Sequence, residues 1–401
     1  MTIQQQFNNH FAEDNLKRIF VDHVVYSGAT GIDNLDQYAF RIQLDDQIAI
    51  LSRKMLAGTY KFTKYKLKLV SKGKDKIPRE ISIPTVRDRI AMRAMCDFVT
   101  EVYDGVVEFN LPQKVIKRVK VNLASGAYTG VIKLDVSNFY PSIKHNELRR
   151  RLGKKIRSDD IKNVLFSAIT SPTVSVSKTT DMPSARGVPQ GLAISNILAA
   201  IYLLNIDNYF KSLQNIKYYR YVDDVMIFCD FNDAQAIATD VCNRFGRIGL
   251  KMYDPIKRPD KSTIEQLGRP FDYLGYHFQD SKISARLGSI ERLKHSLVSI
   301  FTSYKHSKQK SEEFLLWRLN LRITGCVFDN KAKGWLFFFS EINDEKLLHT
   351  LDHYVGKLTK RFNVTIQPKK FVRAFKELSH KKYETSYIPN FDVYTLVSSV
   401  N

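Results

Sequence analysis

Cysteine is scarce in this chain, with four residues in 401: Cys96, Cys229, Cys242 and Cys326, none of them in a CxxC pair. Such spacing fits neither a cysteine zinc site nor a disulfide framework, so free thiols in a reducing, cytoplasmic setting are expected. Long apolar runs are missing too. The longest candidate, Leu192–Leu204, is interrupted by Ser195 and Asn196. It falls short of the roughly 20 residues that span a bilayer and reads as a buried helix. The opening MTIQQQFNNHFAEDN has no basic start and no apolar block, so no export signal is expected. Acidic charge is also in short supply. Lys and Arg number 62 against 41 Asp and Glu, a net charge of +21. An excess of that size points to a polyanionic partner, nucleic acid ahead of a membrane surface.

What is present is an ordinary globular composition, 44% apolar, over a length that calls for two or three packed units. Asn34–Gly58 places Leu35, Phe40, Ile42, Ile48, Leu51 and Leu56 at helical spacing, with Gly58 ending the run. YKFTKYKLKLVSKGKDKIPREISIP alternates basic and apolar residues, as two strands joined by a turn at 72–76. Helices are expected over Thr85–Val102, Lys144–Leu152 (capped by Ser142), Gln190–Phe210 and Asp233–Gly246. Strands are expected over Thr129–Leu134 and Phe271–Phe278, with mainly basic helices after about Ser281. No internal repeat or low-complexity linker interrupts this order. A mixed core with helices added at both ends gives α+β as the class.

Within that order, YYRYVDDVMIF (Tyr218–Phe228) sets two adjacent aspartates between runs suited to buried strands. Taken alone, the pair fits a hairpin turn, because Asp tolerates turn geometry. The alternative is a metal site at a hairpin tip, which needs a further carboxylate. Asp135, at the end of the strand in TGVIKLDVSNFYPSI, could supply it, although alone it fits a helix cap or a solvated strand end. Clustered carboxylates resist joint ionisation unless cations neutralise them. Mg²⁺ suits that task, since it takes hard oxygen ligands and shares them with substrate phosphates.

DVSNFY, RGVPQGLAIS, YVDD and FDYLGYHF follow one another in this order, preceded by GIDNLDQYAF and KGKDKIPREISIPTVRDRI. Together they resemble the reverse transcriptases, above all the bacterial retron, group II intron and defence-associated enzymes, over about 60% of the chain (Gly31 to Phe278). The resemblance implies a right-hand polymerase fold. The expected division is an N-terminal helical extension (1–60), fingers (61–130 and 145–189), palm (131–144 and 190–280) and a basic helical thumb with the C-terminal region (281–401).

It further implies that Asp135, Asp223 and Asp224 are the catalytic, metal-binding triad, holding two Mg²⁺ ions, with Mn²⁺ as the alternative. Tyr140 matches the aromatic gate that excludes a ribose 2′-hydroxyl, and Gln190 the residue that contacts the incoming nucleotide. Arg79 and Lys72 match cations that bind the triphosphate, and Lys261 a lysine that protonates leaving pyrophosphate. Tyr273, Leu274 and Gly275 match the turn that grips the primer. From about Ser281 onward, 21 Lys and Arg face 11 Asp and Glu, in keeping with helices that track a duplex by its phosphates.

The function so implied is RNA-directed DNA synthesis from a deoxynucleoside triphosphate, copying a structured non-coding RNA encoded nearby, in antiphage defence. The stretch Leu319–Gly325 favours the defence-associated branch. The other readings are a group II intron enzyme that assists splicing, an RNA-dependent RNA polymerase, and a catalytically silent RNA-binding scaffold. Tyr140 and VPQG weigh against the RNA polymerase, and the intact triad weighs against the scaffold. No membrane role is expected, and the oligomeric state is left open.

Overall fold

The structure is a computed structural model that describes residues 1–73, 77–328 and 331–380. The chain forms two compact units. One combines Met1–Phe109 with Gly130–Ile264, and the other combines Asn110–Thr129 with the chain from Glu265 onward. In the first unit, the helix Val86–Val102 is the organising element. The Thr85 hydroxyl accepts from Asp88 N and caps it. Its apolar positions Ile90, Ala91, Ala94, Met95 and Phe98 are fully buried. Phe98 meets Phe7 of the first helix edge to face at 5.2 Å, and Phe7 meets Phe11 at 4.6 Å. A Phe98→Ala change would cost about 3–5 kcal/mol, typical of a large cavity in a close-packed core. Buried Asp88 accepts from the Tyr60 hydroxyl (2.6 Å) and Thr63 N (3.0 Å), tying the helix start to the segment before the first strand.

That strand, β1 (Tyr65–Val70), pairs antiparallel with β2 (Arg79–Ile83) and parallel with the short Thr173–Val174. The main sheet is built around β3 (Gly130–Ser137). It is flanked by β4 (Lys217–Tyr221), β5 (Asp224–Cys229) and β6 (Lys251–Met252), in the order β4-β5-β3-β6. Each of these pairings is antiparallel. Val131, Ile132, Leu134 and Val136 of β3 are all buried, so both faces of this central strand are covered.

In the second unit, Phe271–Tyr273, Tyr276–Gln279 and Lys282–Ala285 make an antiparallel sheet. The helices Leu287–His306, Glu312–Thr324, Glu345–Arg361 and Phe371–His380 follow. Trp335, Leu336, Phe339 and Ile342 are buried in that unit, so GWLFFFSEI is core. Among the described residues no helix is long and apolar enough to cross a membrane.

Several elements depart from the sequence reading. Asn34–Gly58 is two helices, Gln37–Ile42 and Leu44–Leu56, and Leu35, Ile42 and Leu56 are exposed. Ser142 ends a one-turn helix, Phe139–Ser142, and Lys144 is the N-cap of the next, with no side-chain cap bond. The helix expected from Gln190 begins at Ser195, because Gly191 holds φ +100° and breaks the run. Phe271–Phe278 is a hairpin, with Leu274 (φ 47°) and Gly275 (φ 85°) as its two-residue turn. Residues 74–76 of the expected Lys72–Lys76 turn lie outside the described residues.

Candidate active site

The register of β3 against β5 pairs Asp135 directly with Asp224. Opposed residues of an antiparallel pair share a face, and like charges so placed destabilise the sheet. Asp223 occupies the β4–β5 turn, and its carbonyl accepts from Val136 N at 3.2 Å, which fastens the turn to β3. The three carboxyls are therefore held together by main-chain pairing. Asp135 is 9% exposed. Burial, then repulsion from Asp223 and Asp135, pushes the Asp224 carboxyl up to about 6. Burial and the Asp135 charge raise Asp223 in the same way.

Lys261 supplies a counter-charge. Its Nζ lies 2.7 Å from Asp135 Oδ2. Burial works to lower its pKa, but the Asp135 bond and charge outweigh burial and raise it. The neighbouring Ser262 hydroxyl accepts from Asp135 N (3.2 Å), and Tyr253 N donates to Asp135 O (3.0 Å).

Between Tyr221 and Asp224 the two-residue turn is Val222-Asp223, and Val222 adopts φ 58°. The first central position of such a turn favours glycine, and a β-branched residue there costs about 1–3 kcal/mol. Arg220 braces this turn. Its Nη1 donates to Val222 O (2.8 Å), and its Nε donates to Asp207 Oδ1 (2.8 Å). Nη2 completes a fork on Asp207 Oδ2, and the Tyr218 hydroxyl donates to Asp207 Oδ1 (2.9 Å). The sequence reading passed over Arg220 and Asp207. Their only signal was an arginine on a strand three residues before the acids and an aspartate on an apolar helix.

Tyr140 follows Asn138, which has the left-handed φ of 46° that turns the chain from β3 into the one-turn helix. Its hydroxyl donates to Asn196 Oδ1 of the Ser195–Ser212 helix. Burial, then the Asp223 charge, pushes that hydroxyl up to about 12, so it stays protonated. The loop after Arg186 is tied to the same turn. Gly187 N donates to Ile143 O (2.8 Å), and Val188 N donates to Tyr140 O (2.9 Å). At its far end, Gln190 O accepts from Ser82 N of β2 (2.7 Å). A Cβ on Gly191 would stand 2.8 Å from Ile81 Cγ2 and 3.1 Å from Ser82 O, so glycine permits this approach.

Arg79 opens β2, opposite Val70, and its charge acts on both Asp223 and Tyr140. Asp135, Asp223, Asp224, Tyr140, Arg79 and Lys261 are thus neighbours, and Gln190 is joined through its backbone. Lys72 lies exposed beyond the end of β1, with no contact to this group among the described interactions. Arg87 and Arg89 brace the unit: Arg87 donates to Gln47 Oε1 (3.2 Å), and Arg89 donates to Ser27 Oγ (2.7 Å). Tyr273, Leu274 and Gly275 form the tight turn of the second unit, with Tyr273 buried.

The donor set is three carboxylates with raised or compensated charge, which fits hard divalent cations. Among the described residues, no three Asp, Glu, His or Cys side chains already converge on one cation position. The Lys261 ammonium instead holds the oxygen of Asp135.

Antiparallel strands carrying these acids, in a mixed helix and sheet architecture, fit a right-hand polymerase fold. Residues 70–278 match the sequence pattern of the family described as reverse transcriptase (RNA-dependent DNA polymerase). That is more than half of the chain, and the chain belongs to this family. Protein YkfC of Escherichia coli (strain K12) is 27% identical over 191 residues, 45% of this chain and 49% of that protein. The chain thus spans about half the length of this curated relative. Apo telomerase from Candida tropicalis is 14% identical, with TM-score 0.48 over 85% of this chain and 61% of that one. The same telomerase truncated from its C-terminal domain is 15% identical, with TM-score 0.43, covering 56% of this chain and 55% of that one.

Proposed function

We propose that this protein is an RNA-directed DNA polymerase whose chemistry is carried by Asp135, Asp223 and Asp224. The observation that carries this reading is the pairing of Asp135 with Asp224 across β3 and β5, with Asp223 in the adjoining turn. The pairing gathers charges that a structural sheet would avoid, and Lys261 meets one of them at 2.7 Å. In the reaction, a primer 3′-hydroxyl attacks the α-phosphorus of a deoxynucleoside triphosphate, loses its proton, and pyrophosphate leaves. Two Mg²⁺ ions, bound by the three aspartates, would supply activation of the hydroxyl and charge stabilisation on the leaving oxygen. Mn²⁺ is the alternative ion.

Arg79, and Lys72 on the loop beyond β1, bind the triphosphate; the guanidinium fork suits phosphate oxygens. Lys261 neutralises Asp135 and can give its proton to pyrophosphate. Tyr140 lies beneath the sugar and rejects a 2′-hydroxyl, and Gln190 contacts the nucleotide. In the second unit, the Tyr273–Gly275 turn grips the primer. Its basic helices track template and product, and Lys357, Lys360, Lys370, Arg373 and Lys376 line a cavity of about 720 Å³ there. A structured non-coding RNA as template and a role in antiphage defence rest on the sequence resemblance, and a cytoplasmic site of action rests on the scattered cysteines.

The test is incorporation of labelled deoxynucleotides by purified protein with its co-purifying RNA and Mg²⁺. Product is expected from the parent protein, and Asp223→Ala should reduce it at least ~10³-fold, the several kcal/mol that metal-borne charge stabilisation supplies. Absence of product from folded protein on every template removes the polymerase reading, and unchanged synthesis by the variant removes the site.

A further inference from the structure

Arg220 lies outside the acid cluster, yet it is bonded to Val222, whose left-handed backbone leads directly into Asp223 and Asp224. The side chains of Arg220 and Asp207 are each only 11% exposed. The guanidinium forks onto both oxygens of Asp207, which the Tyr218 hydroxyl steadies from β4. The remaining Nη1 is thereby aimed at Val222 O, 2.8 Å away. Val222 holds φ 58°, and Asp223 and Asp224 follow it directly. Arg220 also acts electrostatically on Tyr140.

We propose that Arg220 is a positioning residue, which uses Asp207 of the Ser195–Ser212 helix as its anchor to hold Val222 in the left-handed conformation. This rests on the reading that Asp223 and Asp224 carry the chemistry. A β-branched residue left to itself relaxes out of φ > 0. Relaxation at Val222 would rotate Asp223 off Val136 and slide Asp224 from its place opposite Asp135. The clamp prevents this from a distance of one peptide unit, without touching substrate. Asp207 in turn needs the fork, since lysine could reach only one of its oxygens.

The experiment measures steady-state deoxynucleotide incorporation on a primed RNA template with Mg²⁺, alongside a thermal melt of each protein. Arg220→Gln and Arg220→Lys are each made with Val222 and with Val222→Gly. In the Val222 background, both are expected to lower kcat on the order of 10–100-fold, the cost of an ångström-scale misplacement, with the nucleotide KM within about twofold. Glycine adopts φ > 0 freely, so Val222→Gly should recover most of the kcat lost in the Arg220 variants. If Arg220→Gln does not fold, the Arg220→Lys pair is read in the same way.

Unchanged kcat, or an equal loss in both backgrounds, overturns the positioning role, as does a loss confined to KM or thermal stability. An Asp223→Ala control separates the two levels. If that variant remains active, the site itself is wrong; if it is inactive while Arg220 variants keep full kcat, only the clamp is wrong.

Discussion

Removing one carboxylate from the acid cluster should stabilise the protein. Asp224 has its carboxyl raised from 3.8 to about 6, by burial first and then by Asp223 and Asp135. The native state therefore holds this proton more tightly than the unfolded chain does. Stability from this group is fully present below about pH 4 and is lost as pH rises through about 6. A shift of that size corresponds to about 3 kcal/mol at pH 7–8, and to about half of that at pH 5. Asp224→Asn removes the charge and keeps the shape. In chelator, the variant should be up to about 3 kcal/mol more stable than the parent at pH 7.5, and its advantage should shrink as pH falls. Urea denaturation at pH 5 and pH 7.5 reads this directly, because the midpoint moves while the slope stays the same. Added Mg²⁺ should stabilise the parent more than the variant, since cations bind the intact cluster better. A variant no more stable than the parent at pH 7.5, or with an advantage independent of pH, would refute the reasoning.

Two further outcomes follow from the geometry around the cluster. Tyr140→Ala should gain use of ribonucleoside triphosphates, whereas Tyr140→Phe should keep sugar discrimination because the ring remains; competition assays with the two sugars measure both. Gly191→Ala should destabilise the protein by about 1–3 kcal/mol in the same denaturation assay, because it combines φ +100° with a Cβ 3.1 Å from Ser82 O.

The acids were legible in the sequence because they break a pattern. Strand-forming residues on both sides of Asp223 and Asp224 made a pair of carboxylates conspicuous, and ordered blocks around Asp135 and VPQG gave them company. The helix expected over Thr85–Val102 is present as Val86–Val102, and the structure makes Thr85 its cap. Shorter features were less so. The turn at Leu274–Gly275 was expected only through the resemblance and not from the residue pattern, because both flanks have strand composition, and two-residue turns leave little local signal. Likewise Ser142 looked like a cap because capping preference is local, while the one-turn helix that claims it is set by Asn138 and by packing.

Composition and residue order were enough to set the chain's class and to point to a polyanionic partner and to the candidate acids, because burial preference, charge and backbone restriction act residue by residue. Tertiary structure alone decided that Asp224 faces Asp135, that Lys261 answers it from 126 positions away, and that Arg220 reaches Val222 while anchored on Asp207. Each of those depends on strand register and helix placement, which bring distant residues within a few ångströms through packing of the whole unit.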